Sequence, residues 1–307
     1  MKELQIVYSN NYLKYDLGED NPISRDKTGK FLRFLKEEGS IPFRVHEAPK
    51  ATDSDILLAH TERYLNRVRQ AAINGVELDP DTPVNLETLE GAYYIVGGTI
   101  LCLSLALEDQ RVVNIIGGMH HSGSYFGSGF CIFNDHAIAI RKLQKEGKIE
   151  KVTVYDLDVH AGQGTQEIFY EDPTVLTVSI HQDPNTLYPG TGFDWQRGRG
   201  AGLGMNINIP LPPGTTEEIY LEALDSVLEQ TRSYTSDMRV LLLGVDTYKG
   251  DLLGGFRLEQ ESFRKIGERF RDFHKLAVLF GGGYSRKIPD LWMKFLEGYL
   301  GVPSHIV

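Results

Sequence analysis

The sequence predicts an α/β fold on a central, mostly parallel sheet of about eight strands flanked by helices, and three observations carry that prediction. From about Arg111 onward, short β-branched or aliphatic runs alternate with amphipathic stretches, the pattern of parallel strands with covering helices. Polar residues with chemical capacity sit at the carboxyl ends of those apolar runs, the edge where open α/β sheets bind ligands. The composition is that of an ordinary globular chain, 307 residues with 41% hydrophobic, 24% charged and 32 glycines, which is enough to bury a sizeable core.

The strand candidates are LQIVYS near the start, then RVVNIIGG, KVTVYDLDVH, TVLTVSIH, GMNINIPL, MRVLLLGVD and KLAVLFGGGY. Helical periodicity marks SRDKTGKFLRFLKEEG, DSDILLAHTERYLNRVRQAAI and NLETLEGAYYIVGGTILCLSLAL in the N-terminal third. Beyond it, CIFNDHAIAIRKLQKEG, TTEEIYLEALDSVLEQT, EQESFRKIGERFRDF and PDLWMKFLEGYL read as helices, several punctuated by Gly or Pro. The Asp- and Pro-rich loop NGVELDPDTPVN reads as an exposed rim element. With no internal repeat, low-complexity tract or Ser/Pro-rich linker, residues 1–307 are expected to form a single domain.

A formal charge of -10 provides no basic footprint for nucleic acid, and direct nucleic-acid binding is not expected. It suits a cationic substrate, although acidic surfaces most often serve solubility alone. Cys102 and Cys131 are too few for a disulfide framework or a cysteine-based zinc site. The start lacks a basic segment followed by an apolar one, and no run of about 18 uninterrupted apolar residues occurs. These features point to a cytoplasmic protein without membrane attachment, and they say nothing of oligomeric state.

Four apolar runs end in reactive side chains. KVTVY leads into Asp156, Asp158 and His160, VLLLGV into Asp246, VVNIIGG into His120-His121, and AVLFGGG into Tyr284. If the chain stays extended, alternation turns Asp156, Asp158 and His160 to one face. Asp158, His160 and Asp246 then make a carboxylate-imidazole metal site with positions open for water and substrate. The competing reading is that the aspartates cap the following turn and His160 is a satisfied interior histidine. A histidine pair beside a metal-bound water supplies the base and then the acid that amide hydrolysis requires. Gly281-Gly282-Gly283 lets the chain turn close to a ligand and brings the Tyr284 phenol over it. The triplet is equally a plain turn, and the Ser285-Arg286-Lys287 that follows is not a phosphate-loop signature.

The segments GGMHHSGSYFGSGFCIFND, VYDLDVHAGQGTQEIF, VSIHQDPNTLYPGTG, GVDTYKGDLLGGFRL and FGGGY together resemble the histone deacetylase and acetylpolyamine amidohydrolase superfamily, closest to its class IV-like and prokaryotic branches. Order and spacing match along most of the chain, from the DPDTP loop to Tyr284. The resemblance implies an arginase/deacetylase-like fold, zinc (iron(II) could take the same ligands) on Asp158, His160 and Asp246, and hydrolysis of an acyl-lysine or similar acylated amine. It gives His121 the general base and acid role, His120 an electrostatic role oriented by Asp156, and Tyr284 the oxyanion. Phe130 and Tyr188 fall on the tunnel walls, with Gly129, Leu253 and Gly282 among the substrate contacts and Asp81 on the rim. Potassium is implied near Asp156, Asp158, His160 and Ser179, and a second cation near Phe169, Asp172 and Val175, where Met205 replaces a frequent aromatic.

Two departures bear on chemistry. Ala161 stands where many members have a further histidine, and Gln163 where class I members carry aspartate and others asparagine. A neutral amide can hold the tautomer of His121 but cannot stabilise its cation with a full charge, so altered pH dependence is expected. The rival readings are an acetylpolyamine or other small-molecule deacylase, a long-chain lysine deacylase and, with less support, a noncatalytic acyl-lysine binding module.

Overall fold

A computed structural model describes residues 3–18, 21–22 and 27–303. Among these, the strands are β1 (Leu4–Tyr8), β2 (Phe43–Glu47), β3 (Val112–Asn114), β4 (Val152–Asp156), β5 (Val175–Gln182), β6 (Asn206–Leu211), β7 (Met238–Leu243) and β8 (Leu276–Phe280). They form one eight-stranded sheet in the order β2-β1-β3-β8-β7-β4-β5-β6, with every pairing parallel. The α/β expectation of about eight mostly parallel strands holds.

The helices are α1 (Lys27–Glu38), α2 (Asp53–Ile56), α3 (Glu62–Asn74), α4 (Leu86–Leu107), α5 (Asp135–Lys145), α6 (Gln163–Phe169), α7 (Glu217–Thr231), α8 (Gln260–Phe270) and α9 (Ile288–Leu300). Successive strand residues point to opposite faces and so feed two cores. Val154, Val240, Leu242 and Leu279 pack with Leu65 of α3, Val96 and Leu103 of α4 and Ile138 of α5. Tyr155, Leu241, Val278 and Phe280 pack with Phe31 of α1, Leu224 of α7, Phe263 of α8 and Trp292 of α9. Helix α4 is long and apolar enough to cross a membrane by composition, yet it lies mostly inside the protein. Its Gly97 sits where a Cβ would collide with the Pro49 carbonyl, so a small residue lets this central helix pack closely.

The segment expected as one helix from Asp53 is two, because Thr61 starts α3 afresh with its hydroxyl accepting from the Tyr64 N–H. Strand β2 and helix α6 were not among the expected elements. The first is a polar edge strand and the second a single seven-residue segment opened by glycines. Helix α1 begins at Lys27; the expected start at Ser24 lies outside the described residues.

Candidate metal centre

The sheet order sets β3, β8, β7 and β4 side by side. Four neighbouring carboxyl ends therefore open onto one place, in the middle of the sheet.

Strand β4 ends at Asp156, and the chain turns instead of continuing extended. The Asp158 N–H donates to Asp156 Oδ1 (3.1 Å), the Val159 N–H to Asp246 Oδ1 (3.0 Å) and the His160 N–H to Asp158 Oδ1 (2.9 Å). Strand alternation is thus not what gathers these side chains: the carboxylates wrap the backbone around themselves. Turn capping and ligation also cease to be rivals. Asp158 and Asp246 each spend Oδ1 on the turn, while their Oδ2 atoms face Gly282.

Asp158, His160 and Asp246 are buried, and each brings a ligand atom within 4.8 Å of the others. His160 Nδ1 lies 2.9 Å from Asp158 Oδ1 and 3.4 Å from Asp246 Oδ2. Three observations show that these residues fit a cation. Asp246 Oδ2 is buried and makes no well-formed hydrogen bond, with His160 Nδ1 standing off at 3.4 Å, an arrangement that is costly for a carboxylate unless a cation faces it. A Cβ at Gly282 would fall on both Oδ2 atoms and one at Gly244 against Asp158, so glycines keep the cradle open. Burial and the neighbouring Asp158 charge push the Asp246 carboxyl up to about 7. Burial acts on Asp158 in the same sense, but His120 and His160 override it and hold that carboxyl well below the usual range. Two buried carboxylates repelling one another around an imidazole are relieved by a bound cation.

Beside this trio, loop 117–121 delivers the histidine pair. The fully buried Asp135 at the start of α5 accepts from the Gly118 N–H (3.0 Å) and the Met119 N–H (2.7 Å), pinning the loop. The rings of His120 and His121 are 4.0 Å apart. His120 Nδ1 lies 2.6 Å from Asp156 Oδ2 and His121 Nδ1 2.6 Å from Gln163 Oε1. Their environments push them apart. Burial alone would lower the His120 pKa, but Asp156 and Asp158 raise it to about 9. Burial lowers His121 well below the ordinary value, helped by the neighbouring His120 and His160 charges. One imidazole is held as a cation and the other as a neutral base, the kind of division that acid-base sites use.

Tyr284, past β8, has its phenol pKa raised well above 10 by burial and by Asp158 and Asp246, so it remains a donor. Its ring meets Phe130 edge-on at 6.0 Å, and Tyr188 meets His121 edge-on at 5.0 Å. Phe130 has a positive φ of 66°, a sparsely populated conformation for a bulky residue. A chamber of about 40 Å³ lined by Met119, His121, Gly129, Phe130, Gly282 and Tyr284, among others, adjoins Asp158. Asp81 accepts from the Gly129 N–H (3.1 Å) and so braces the turn that carries Phe130. Leu253 is half-buried and donates its N–H to Asp251 (3.0 Å).

For the cation sites, Asp156 and Ser179 are in-register partners across β4 and β5. At the outer position, Asp172 is engaged by Thr174 and by Arg141, whose guanidinium lies 4.8 Å over the Phe169 ring. Val175 opens β5, and the Met205 carbonyl accepts from the Thr177 N–H (2.9 Å). Three residues of the site went unnoticed in the sequence: Ser128, Asp135 and Asp251. All lie within the segments that carry the family resemblance, and each acts through hydrogen bonds to or from distant backbone or amide groups, for which sequence has no spacing rule.

A buried cation cradle beside an imidazole base, at the carboxyl edge of a parallel sheet, is the arrangement of a metal-assisted hydrolase, and comparison with known proteins places it among those that act on amide bonds. The chain belongs to the histone deacetylase family, whose domain matches residues 21–298. It is similar to a probable deacetylase of Archaeoglobus fulgidus, at 33% identity over 291 residues, 90% of this chain and 80% of that one. The acetoin utilization protein AcuC of Bacillus subtilis is 29% identical over 330 residues, covering 99% and 84%. Among solved structures, an HDAC homolog from Aquifex aeolicus superimposes with a TM-score of 0.90 at 28% identity, covering 98% of this chain and 84% of that one.

Proposed function

We propose that this protein is a zinc-dependent deacetylase of short-chain acyl-lysine or similar acylated amines. The observation that carries the reading is the neutral His121 imidazole held next to the buried Asp158, His160 and Asp246 group, a base beside a cation cradle. When bound there, zinc would supply Lewis acidity, polarising the substrate carbonyl and acidifying a water. Iron(II) suits the same donors.

His121 removes a proton from the attacking water at Nε2 and passes it to the amine nitrogen as the carbon-nitrogen bond breaks, leaving carboxylate and free amine. Tyr284 donates its phenolic hydrogen to the oxygen that becomes negative. His120, kept charged by Asp156, adds a fixed positive field. Phe130 and Tyr188 flank the aliphatic stem, with Asp81, Gly129, Leu253 and Gly282 lining the approach. Potassium among the carbonyls of Asp156, Asp158 and His160 and the Ser179 hydroxyl would stiffen the metal loop; the second, outer cation near Phe169 and Asp172 is the weaker of the two, since Arg141 already supplies positive charge there.

The narrow chamber walled by Met119, Phe130 and Tyr284 beside Asp158 supports a short acyl group over a long one. The buried thiols of Cys102 and Cys131, which form no disulfide, support a cytoplasmic setting, and the single eight-stranded sheet supports one domain over 1–307. The test is hydrolysis of a fluorogenic acyl-lysine panel, from acetyl to long-chain, with acetylated diamines alongside and zinc determined by elemental analysis. Hydrolysis of acetyl-lysine by zinc-loaded protein is expected; preference for free acetylated diamines would favour the small-molecule reading.

A further inference from the structure

Within the constellation around His121, the Gln163 amide is a group whose two ends have opposite hydrogen-bonding character. Its Oε1 lies 2.6 Å from His121 Nδ1, and its Nε2 donates to Ser128 Oγ (3.3 Å) and Tyr188 Oη (3.2 Å). The direction of these bonds follows from a fourth contact. The Ser128 hydroxyl donates its only hydrogen to the His121 carbonyl (3.2 Å), so toward Gln163 it presents lone pairs alone. The Tyr188 hydroxyl takes the second amide hydrogen; a phenol can accept or donate, so Ser128 is the group that sets the direction and Tyr188 the one that completes it.

The amino end of Gln163 is therefore drawn to Ser128, with Tyr188 beside it, and the carbonyl end is left facing His121. An amide oxygen can only accept, which places the imidazole proton on Nδ1 and the lone pair on Nε2. Turned over, the amide would present N–H to Nδ1, drive the proton to Nε2 and remove the base. An aspartate or glutamate at this position has no wrong end, so the requirement arises from glutamine.

We propose that Ser128 and Tyr188 form an orientation lock on the Gln163 amide and, through it, set the tautomer of His121. Ser128 and Gln163 are positioning residues; the lock rests on the reading of His121 as the general base. It also ties the base to the tunnel wall, since Tyr188 belongs to both.

The experiment uses the full-length, zinc-loaded protein with Ser128→Ala and Tyr188→Phe, each in the native and the Gln163→Glu background. Steady-state kinetics on an acetyl-lysine peptide are combined with ¹⁵N NMR of histidine-labelled protein, the His121 signals being assigned with His121→Ala. In the native background Ser128→Ala is expected to lower kcat about 10-fold or more with KM within about twofold, and to bring up an Nε2–H imidazole at His121. In the Gln163→Glu background the same substitution costs less than about twofold, because a carboxylate has no donor end to misplace. Equal losses in both backgrounds, or an unchanged Nδ1–H tautomer in Ser128→Ala, would overturn the lock. If Gln163→Glu does not fold, the NMR comparison in the native background decides. Wild-type protein inert on every acylated amine counts against the proposed function alone, because the tautomer comparison needs no turnover.

Discussion

Asp251 Oδ2 accepts the Tyr284 N–H at 2.7 Å, and its other oxygen accepts the Leu253 N–H at 3.0 Å. One carboxylate thus clasps the loop after β7 to the loop after β8. Asp251→Ala is expected to lower kcat about 10-fold or more by releasing the loop that carries Tyr284, the proposed oxyanion donor, and Asp251→Asn less, since one acceptor oxygen remains. Kinetics with metal content measured in parallel decide it; full activity in the alanine variant would remove Asp251 from the account.

Tyr284→Phe deletes only the hydroxyl. A loss of about 10- to 1,000-fold in kcat with unchanged zinc content is expected, in the range of other oxyanion-donor removals. Turnover equal to wild type would refute the role.

Gly282→Ala tests the cradle. Its Cβ would overlap Asp158 Oδ2 and Asp246 Oδ2, so the variant should fold yet purify with little zinc. Calorimetry checks this from a second side: excess zinc should raise the Tm of chelated wild type by about 5–10 °C and that of the variant hardly at all. Equal shifts would dispose of the cradle.

His60 makes a pH prediction away from the catalytic groups. It is buried, and its Nε2 accepts the Asn134 N–H at 3.0 Å. Burial lowers its pKa from 6.5 to about 4. Between those values the unfolded chain binds more protons, so this contribution to stability is full above about 6.5 and is lost as pH falls toward 4. His60→Gln keeps an acceptor but does not titrate, so the Tm advantage of wild type over this variant should shrink from pH 7 to pH 4.5. Parallel curves would sink the assignment.

Much of this architecture was legible because parallel strands buried on both faces are nearly unbroken apolar runs, as in VLLLGV before Asp246. Strand β2 escaped because its Arg44, His46 and Glu47 sit at a sheet edge, where burial imposes no pattern. The break between α2 and α3 turned on one capping hydroxyl, Thr61, inside an otherwise helical run. Asp158, His160 and Asp246 stood out by lying past apolar runs. Asp251 and Ser128 did not, because hydrogen bonds to the Tyr284 backbone and from the Gln163 amide exist only once distant loops meet.

The sheet order carries a consequence for how the protein is made. Strand β8, which follows the other seven in chain order, inserts between β3 and β7 in the middle of the sheet. A nascent chain lacking it has a gap at its centre as well as no Tyr284. Pairings so remote along the chain give a high contact order and slow folding. Until β8 arrives, the flanks of β3 and β7 remain open edges, and this is the interval in which the chain is most exposed to aggregation.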